Sequence, residues 1–440
     1  MIRETILKQV LIEQRELIKP SLEYVERELL PLALSLSKLR HIVVITGHRR
    51  AGKSVFLSQI IHKLYGMENV YYLNVDDERL ASLKVEDMNS VMEVFMSLFG
   101  EKKIIFLDEI QNLDGWERFV SRLHNEGYKI YLTGSNAKLL SSELATLLTG
   151  RYIEMEIYPF SFREFLRFRG IEVIEKMLYK TDSRAKIRKL FDEYLMTGGF
   201  PEVVHYGKTP ILRTLFSDVI TKDVVGRYKV RESRTIKEIA HFLISNAAKE
   251  FSYNRIKNIY GLGSVHTVKN YVEYLKSTYM FFELSRFSHS LKEVHTKIKK
   301  IYIVDNGFIE SVGFSSTINT GRLYENLVFD ELKRKRKEIY YYKDKAAKEV
   351  DFLIRKGKKV KECIQVCSNP GEETTLQREI KGLLIGMDEF NLKKGVIISG
   401  NREDEIEISG KRIEFIPLWK WLLVESWGQS PLENVEFLTG

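Results

Sequence analysis

The chain has 440 residues, 44% of them hydrophobic and 29% charged, which is enough for two or three buried cores and typical of a globular protein. No apolar run approaches the roughly 20 residues of a membrane span, so no membrane partner is expected, and the N-terminus lacks a signal peptide's apolar core. Two cysteines, Cys363 and Cys367, with no second pair to complete a zinc site, exclude a disulfide framework and point to the cytoplasm. The net charge is +9, and between Arg286 and Lys361 alone 19 Lys/Arg face 10 Asp/Glu, an excess of 9. Such a concentration is the footprint of a nucleic-acid binder or, failing that, a solvated lysine-rich face.

Along the chain, a helical lead-in precedes four short apolar runs, at 41–47, 69–76, 102–109 and 128–136. Each is rich in Ile, Val and Tyr, which suits a strand covered on both faces, and 151–160 reads as a fifth strand. Helical patterns between them predict an α/β fold with a doubly wound parallel sheet over residues 1–160. Residues 161–229 are helical in period, broken by the turn TGGFPE (197–202). Over 230–310 three helices and a hairpin predict a winged helix-turn-helix. Ser264 caps its third helix, with Val265, Val268, Val272 and Leu275 on one face. His266, Thr267, Lys269, Asn270 and Lys276 lie on or near the other face, where they could meet phosphates and base edges or a protein partner. From residue 321 a helix leads into short strands, a further α/β pattern.

The stretch GHRRAGKS (47–54) matches G-x-x-x-x-G-K-[ST] between a predicted strand and a predicted helix, the context that gives this motif meaning. Gly47 and Gly52 let the backbone curl around phosphates. Arg49, Arg50, Ala51 and Gly52 offer N–H groups, while Lys53 reaches the β- and γ-phosphates. Ser54 ligates Mg²⁺, and Val55 continues the helix whose positive end adds to the field. Asp108 and Glu109 end the third strand, where open α/β sheets hold ligands. Asp108 is expected to anchor Mg²⁺ and Glu109 to polarise the attacking water; alternatively the two cap the following turn. Asn136, with Ser135 second, is placed to sense the γ-phosphate. Arg151 is either a finger reaching a neighbouring subunit, which implies a homo-oligomer, or a surface arginine.

Through these motifs the chain resembles the archaeal and bacterial AAA-type ATPases of the AAA+ class that carry a C-terminal domain of unknown function. GHRRAGKS, IIFLDEIQNLDGWE, LTGSNAKLLSSELATLLTGR, YPFSFREFL, TGGFPEVV, DVITKDVV, KIYIVDNGF and GRLYENLVFDEL…EVDFLI follow the family's order. The resemblance implies ATP and Mg²⁺ as cofactors and an ATPase core at 1–160. A helical lid (161–229) and a winged helix (230–310) would follow. A restriction-endonuclease-like domain of PD-(D/E)xK type would occupy 321–440. In that last pattern Glu325 and Asp351 fit, but Gln365 and Cys367 stand where Glu and Lys belong. Losing an anionic metal ligand and a supporting cation implies that the domain does not cleave DNA. KRKRK (333–337) and RKGKKVK (355–361) would still bind it. The expected function is an Mg²⁺-dependent ATPase that repositions a DNA-binding C-terminal half, the alternative a nucleotide-switched scaffold for a protein partner. Arg49 and Arg50 are expected to point outward and couple nucleotide to partner.

Overall fold

In a computed structural model, the structure describes residues 2–18, 24–136, 148, 150–314, 319–369, 371 and 373–424. The chain divides into two compact units. One runs to Tyr158 and includes Ser277–Tyr279; the other joins Pro159–Lys276 to the described chain from Met280 to Val424.

The first unit is built on five parallel strands: β1 (Ile42–Gly47), β2 (Tyr71–Asn74), β3 (Ile104–Asp108), β4 (Lys129–Gly134) and β5 (Tyr152–Ile157). Their order is β2-β3-β4-β1-β5. All five lie inside the predicted runs, and the apolar continuity of those runs has a direct cause. Val44, Leu73, Leu107 and Leu132 face one core, filled from the helices Glu4–Leu17, Met88–Phe99 and Trp116–Asn125. Val43, Ile45, Phe106 and Tyr131 face the other, filled from Leu30–Leu36 and Lys53–Leu64. Phe106 and Tyr131 stack there, with ring centroids 4.5 Å apart. A helix-forming sequence would need polar residues on one side, so strands buried on both faces admit few.

In the second unit, helices occupy 162–168, 181–197, 201–206, 210–218 and 233–245. Ser161 and Glu164 form a reciprocal cap at the first of them. A three-stranded antiparallel sheet follows, from β6 (Lys249–Phe251), β7 (Phe281–Ser285) and β8 (Lys299–Ile303) in the order β6-β8-β7, with helices at Tyr253–Ile259 and Val265–Lys276. The last part is a mixed sheet of β9 (Glu338–Lys343), β10 (Glu349–Lys356), β11 (Lys359–Cys367), β12 (Lys394–Ser399), β13 (Asp404–Ile408) and β14 (Lys411–Pro417). Its order is β13-β14-β12-β11-β10-β9, and the helix Glu373–Glu389 covers one face through Leu376, Ile380, Leu383 and Met387.

Three of the sequence motifs meet at one buried polar joint of this unit. Asp305 accepts from the Gly199 N–H at 2.7 Å and the Gly307 N–H at 2.8 Å. The Asn306 amide donates to the carbonyls of Leu195 (3.1 Å) and Leu323 (3.0 Å). Asn326 pairs with both backbone groups of Ile303, at 2.9 and 2.8 Å. Thus TGGF, VDNG and ENLVFDEL carry polar residues because each closes a buried backbone group on another segment. Burial pushes the Asp305 carboxyl from its ordinary 3.8 to about 7. The native state therefore binds more protons than the unfolded chain between those values, and stability present at low pH is lost as pH rises through that window. Urea midpoints are expected to fall between about pH 5 and pH 7.5. Asp305→Asn should flatten that slope, and an unchanged slope would show that Asp305 titrates normally.

Candidate functional site

The loop after β1 is shaped by close approaches. Gly47 has φ 138°, and a β-carbon there would lie 2.1 Å from the Ile157 carbonyl oxygen on the paired strand, so only glycine fits. Gly52 has φ 98° and leads into the helix Lys53–Leu64. Ala51 is buried, and its carbonyl accepts from Arg27 Nη1 at 2.9 Å. Arg27 also donates to the Tyr158 carbonyl, bracing the loop from the chain before β1. His48 is buried, and burial drives it down to about 3, so its imidazole is neutral. The helix start leaves its first N–H groups without helical partners, a ready site for anions.

Lys53 is buried in this loop. Its ammonium donates to the carbonyls of Gly47 (3.2 Å) and His48 (3.3 Å) and pairs with Glu109 at 3.4 Å. Asp108, at the tip of β3, is fully buried and accepts from the hydroxyls of Thr133, Tyr72 (3.0 Å) and Ser54. Burial raises its pKa, and those hydroxyls offset part of the rise. Glu109 follows in the left-handed region, at φ 52°, with its N–H donating to Thr133 Oγ1 at 2.8 Å. Strain of this kind persists only where surroundings over-determine it, and here Thr133 fastens both acidic residues. Burial alone would raise Glu109, but Lys53, the Gln111 amide and Arg49 together hold it below the usual range. Gln111 donates to Glu109 and, at 3.4 Å, to Ser135 Oγ at the tip of β4. Asn136 is fully buried next to it in sequence.

The expected cluster is thus brought together: Gly47, Ala51, Gly52, Lys53, Ser54, Asp108 and Glu109, with Val55 half-buried in the first helical turn and Ser135 and Asn136 on the adjacent strand end. Sequence reasoning missed Arg27, Tyr72, Gln111 and Thr133. Gln111 had a signal, two residues after Glu109, and Thr133 had one in TGSN; Arg27 and Tyr72 had none. The paired arginines divide. Arg50 is exposed at φ 63°, as expected, whereas the charge of half-buried Arg49 acts on Glu109, so it is not simply an outward residue. Arg151 immediately precedes β5, whose first residue pairs with the first residue of β1, so it stands at the sheet end opposite the loop. There it is exposed, bonded to Asn125 at 3.3 Å, and it takes no part in its own chain's site. Residues 137–147 and 149, within LTGSNAKLLSSELATLLTGR, lie outside the described residues.

The donor set fits a magnesium nucleotide. Ser54 and Asp108 offer hydroxyl and carboxylate oxygens, the hard ligands Mg²⁺ prefers, and two protein ligands leave positions for phosphate oxygens and water. Among the described residues no group of three or more His, Cys, Asp or Glu is arranged to hold a metal by itself.

The basic residues behave differently from their sequence appearance. In KRKRK, Arg334 and Lys335 are only 15% and 12% exposed; Arg334 donates to the Pro159 carbonyl at 2.9 Å, and Lys335 lies over the Trp421 ring. The helix end carrying them packs inward, so that run is not a free basic face. Lys276 pairs with Glu273 (2.7 Å) and Glu283 (2.9 Å) rather than facing outward, and Lys269 lies over the Tyr253 ring. Thr267 and Asn270 are half-buried, whereas His266 is exposed and its backbone N–H donates to the Oγ of the expected Ser264 cap at 3.0 Å. In the C-terminal part, Gln365 accepts from the Asp351 N–H at 3.2 Å, Glu325 lines the same cleft, and Cys367 is buried at the end of β11. Lys300, from a separate sheet, pairs with Glu325 at 2.7 Å and Asp351 at 3.3 Å, which no sequence pattern indicated. Among the described residues no helix is long and apolar enough to cross a membrane.

A family profile described as an AAA domain matches residues 39–166, and two described as domains of unknown function match 188–317 and 320–421. An uncharacterized protein of Methanocaldococcus jannaschii is 35% identical over 96% of this chain and 96% of its own length. One of Haemophilus influenzae is 33% identical over 87% of this chain and 94% of its own. Among solved structures, a signal-transduction ATPase with numerous domains and a tetratricopeptide repeat sensor, from Pyrococcus horikoshii, aligns at 16% identity and a TM-score of 0.27, covering 71% of this chain and 46% of that one. Domain III of the Thermotoga maritima replication initiation protein DnaA aligns at 17% and 0.24, covering 42% and 89%. Carrying an AAA domain and matching both relatives nearly end to end, the chain belongs to the family of these archaeal and bacterial AAA-domain proteins.

Proposed function

We propose that this chain is a magnesium-dependent ATPase of the AAA+ class. The observation that carries the reading is the meeting of Lys53, Ser54, Asp108 and Glu109, with Lys53 and Glu109 paired at 3.4 Å and Ser54 bonded to Asp108. The backbone N–H groups of Arg49 to Ser54 and the helix start bind the phosphates. Lys53 exchanges Glu109 for the β- and γ-phosphates. Ser54 and Asp108 would hold Mg²⁺, which supplies charge stabilisation to the phosphate oxygens. Glu109, ionised because Lys53, Gln111 and Arg49 outweigh its burial, orients the attacking water and takes up its proton at the carboxylate. Gln111 fixes that carboxylate and links it to Ser135, beside Asn136, which reads the γ-phosphate. Arg50 couples the loop to a partner, and Arg151 acts, if at all, on the site of another copy in a homo-oligomer. Lys53→Ala is expected to abolish both ATP binding and phosphate release; release at the wild-type rate would exclude this site.

A nucleic-acid partner is favoured by one surface. The turn between β10 and β11 exposes Lys356, Lys358, Lys359 and Lys361, a cluster suited to phosphate contacts that weaken with salt. The segment 230–310 serves as the winged helix and 321–424 as a nuclease-like fold that binds without cutting. Phosphate release with and without duplex DNA across a salt series tests this. No stimulation and no salt-sensitive binding would leave the protein-scaffold reading in its place.

A further inference from the structure

A cleft of about 990 Å³ opens in the second unit, with Glu325, Asp351, Gln365 and Glu379 among its lining residues. Beneath it lies Lys300 of β8, 4% exposed, its ammonium 2.7 Å from Glu325, 2.5 Å from Glu349 and 3.3 Å from Asp351. Its sequence neighbour Lys299 pairs instead with Glu283, as strand alternation requires. Lys300 comes from outside the sheet that carries the carboxylates, and three acids from two elements, a helix and β10, converge on it.

We propose that Lys300 is the resident cation of this carboxylate site, occupying the place a divalent metal would take and keeping the cleft metal-independent. Each of the three carboxylates has a further partner. Tyr302 donates to Glu325 at 2.7 Å, the Val366 N–H to Asp351 at 3.0 Å, and Lys343 pairs with Glu349 at 3.3 Å as well as with Glu250. Gln365, in the place of an acid, turns its amide to Glu379, which Arg378 also neutralises. Lys300 and Lys343 thus lie against Glu325, Glu349 and Asp351 without any added ion. A divalent cation at these oxygens would sit within a few ångströms of a buried ammonium, a repulsion that the low dielectric leaves unscreened. This inference is independent of the ATPase reading, since it concerns a site with no residue of the loop.

The test uses the full chain in an Asp108→Asn background without nucleotide, which silences the loop site, and Mn²⁺ as probe by calorimetry and electron paramagnetic resonance. The parent is expected to bind no Mn²⁺ through these residues and to show a melting temperature indifferent to Mn²⁺ or chelator. Lys300→Met should gain one Mn²⁺ per chain and a melting temperature that Mn²⁺ raises; adding Asp351→Asn should remove both gains. A parent that binds one Mn²⁺ lost on Asp351→Asn, or a folded Lys300→Met that binds none, overturns the proposal. If Lys300→Met is unfolded without metal, combining it with Glu325→Gln and Glu349→Gln removes the uncompensated charges and should restore folding. Failure of that restoration also overturns it.

Discussion

Glu109→Gln is expected to slow ATP hydrolysis about 10²–10⁴-fold, the range typical of a lost general base, while nucleotide binds at least as tightly as before. The amide keeps the size of the carboxylate but cannot take a proton from water. It also releases Lys53, which in this structure pairs with Glu109 at 3.4 Å and must leave that partner to meet a phosphate. Single-turnover phosphate release and nucleotide titration on the same preparation separate the two effects. Turnover at the wild-type rate would assign water activation to another group. Loss of binding together with turnover would mean instead that Glu109 shapes the loop.

Gly198→Ala is expected to be strongly disruptive in the second unit. Gly198 ends the helix Thr181–Thr197 at φ 73°, and a β-carbon there would fall 1.7 Å from Asp305 Oδ1. The clash displaces the carboxylate that holds the Gly199 and Gly307 N–H groups, leaving buried donors unpaired. A cost of roughly 3–5 kcal/mol is expected, combining backbone strain with a broken buried network. Gly207→Ala is the control: φ is 66° but nothing lies within 4 Å of the added carbon, so only about 1 kcal/mol of strain is expected. Denaturant unfolding of both variants decides, and equal costs would mean that the Asp305 contact is dispensable.

These two sites differ in how far the sequence foretold them. The loop and the carboxylates lie within short stretches, because phosphate binding needs adjacent backbone N–H groups and a strand must end where its acids are used. GHRRAGKS and LDE therefore could be read locally, and the five strands with them, since burial on both faces leaves a continuous apolar run. The joint around Asp305 was visible only as unexplained motifs. Its glycines and asparagines are each ordinary in their own segment and become necessary through partners about 20 to 110 positions away.

Charge was the least legible property. KRKRK reads as a nucleic-acid face, yet Arg334 and Lys335 are mostly buried against a carbonyl and a tryptophan ring. Lys300 sits in a run of lysines and reads as solvated, yet three carboxylates surround it. The sequence by itself determined the parallel sheet, the phosphate loop and the acids opposite it, because those rest on periodicity and on contiguous backbone. Only the tertiary structure decided which charges are paired, that Arg151 stands at the far end of the sheet from the loop, and that Lys300 of β8 meets Asp351 of another sheet. The physical reason is that an ion pair is fixed by distance in space and by exclusion of water, and neither is written in the spacing of residues along the chain.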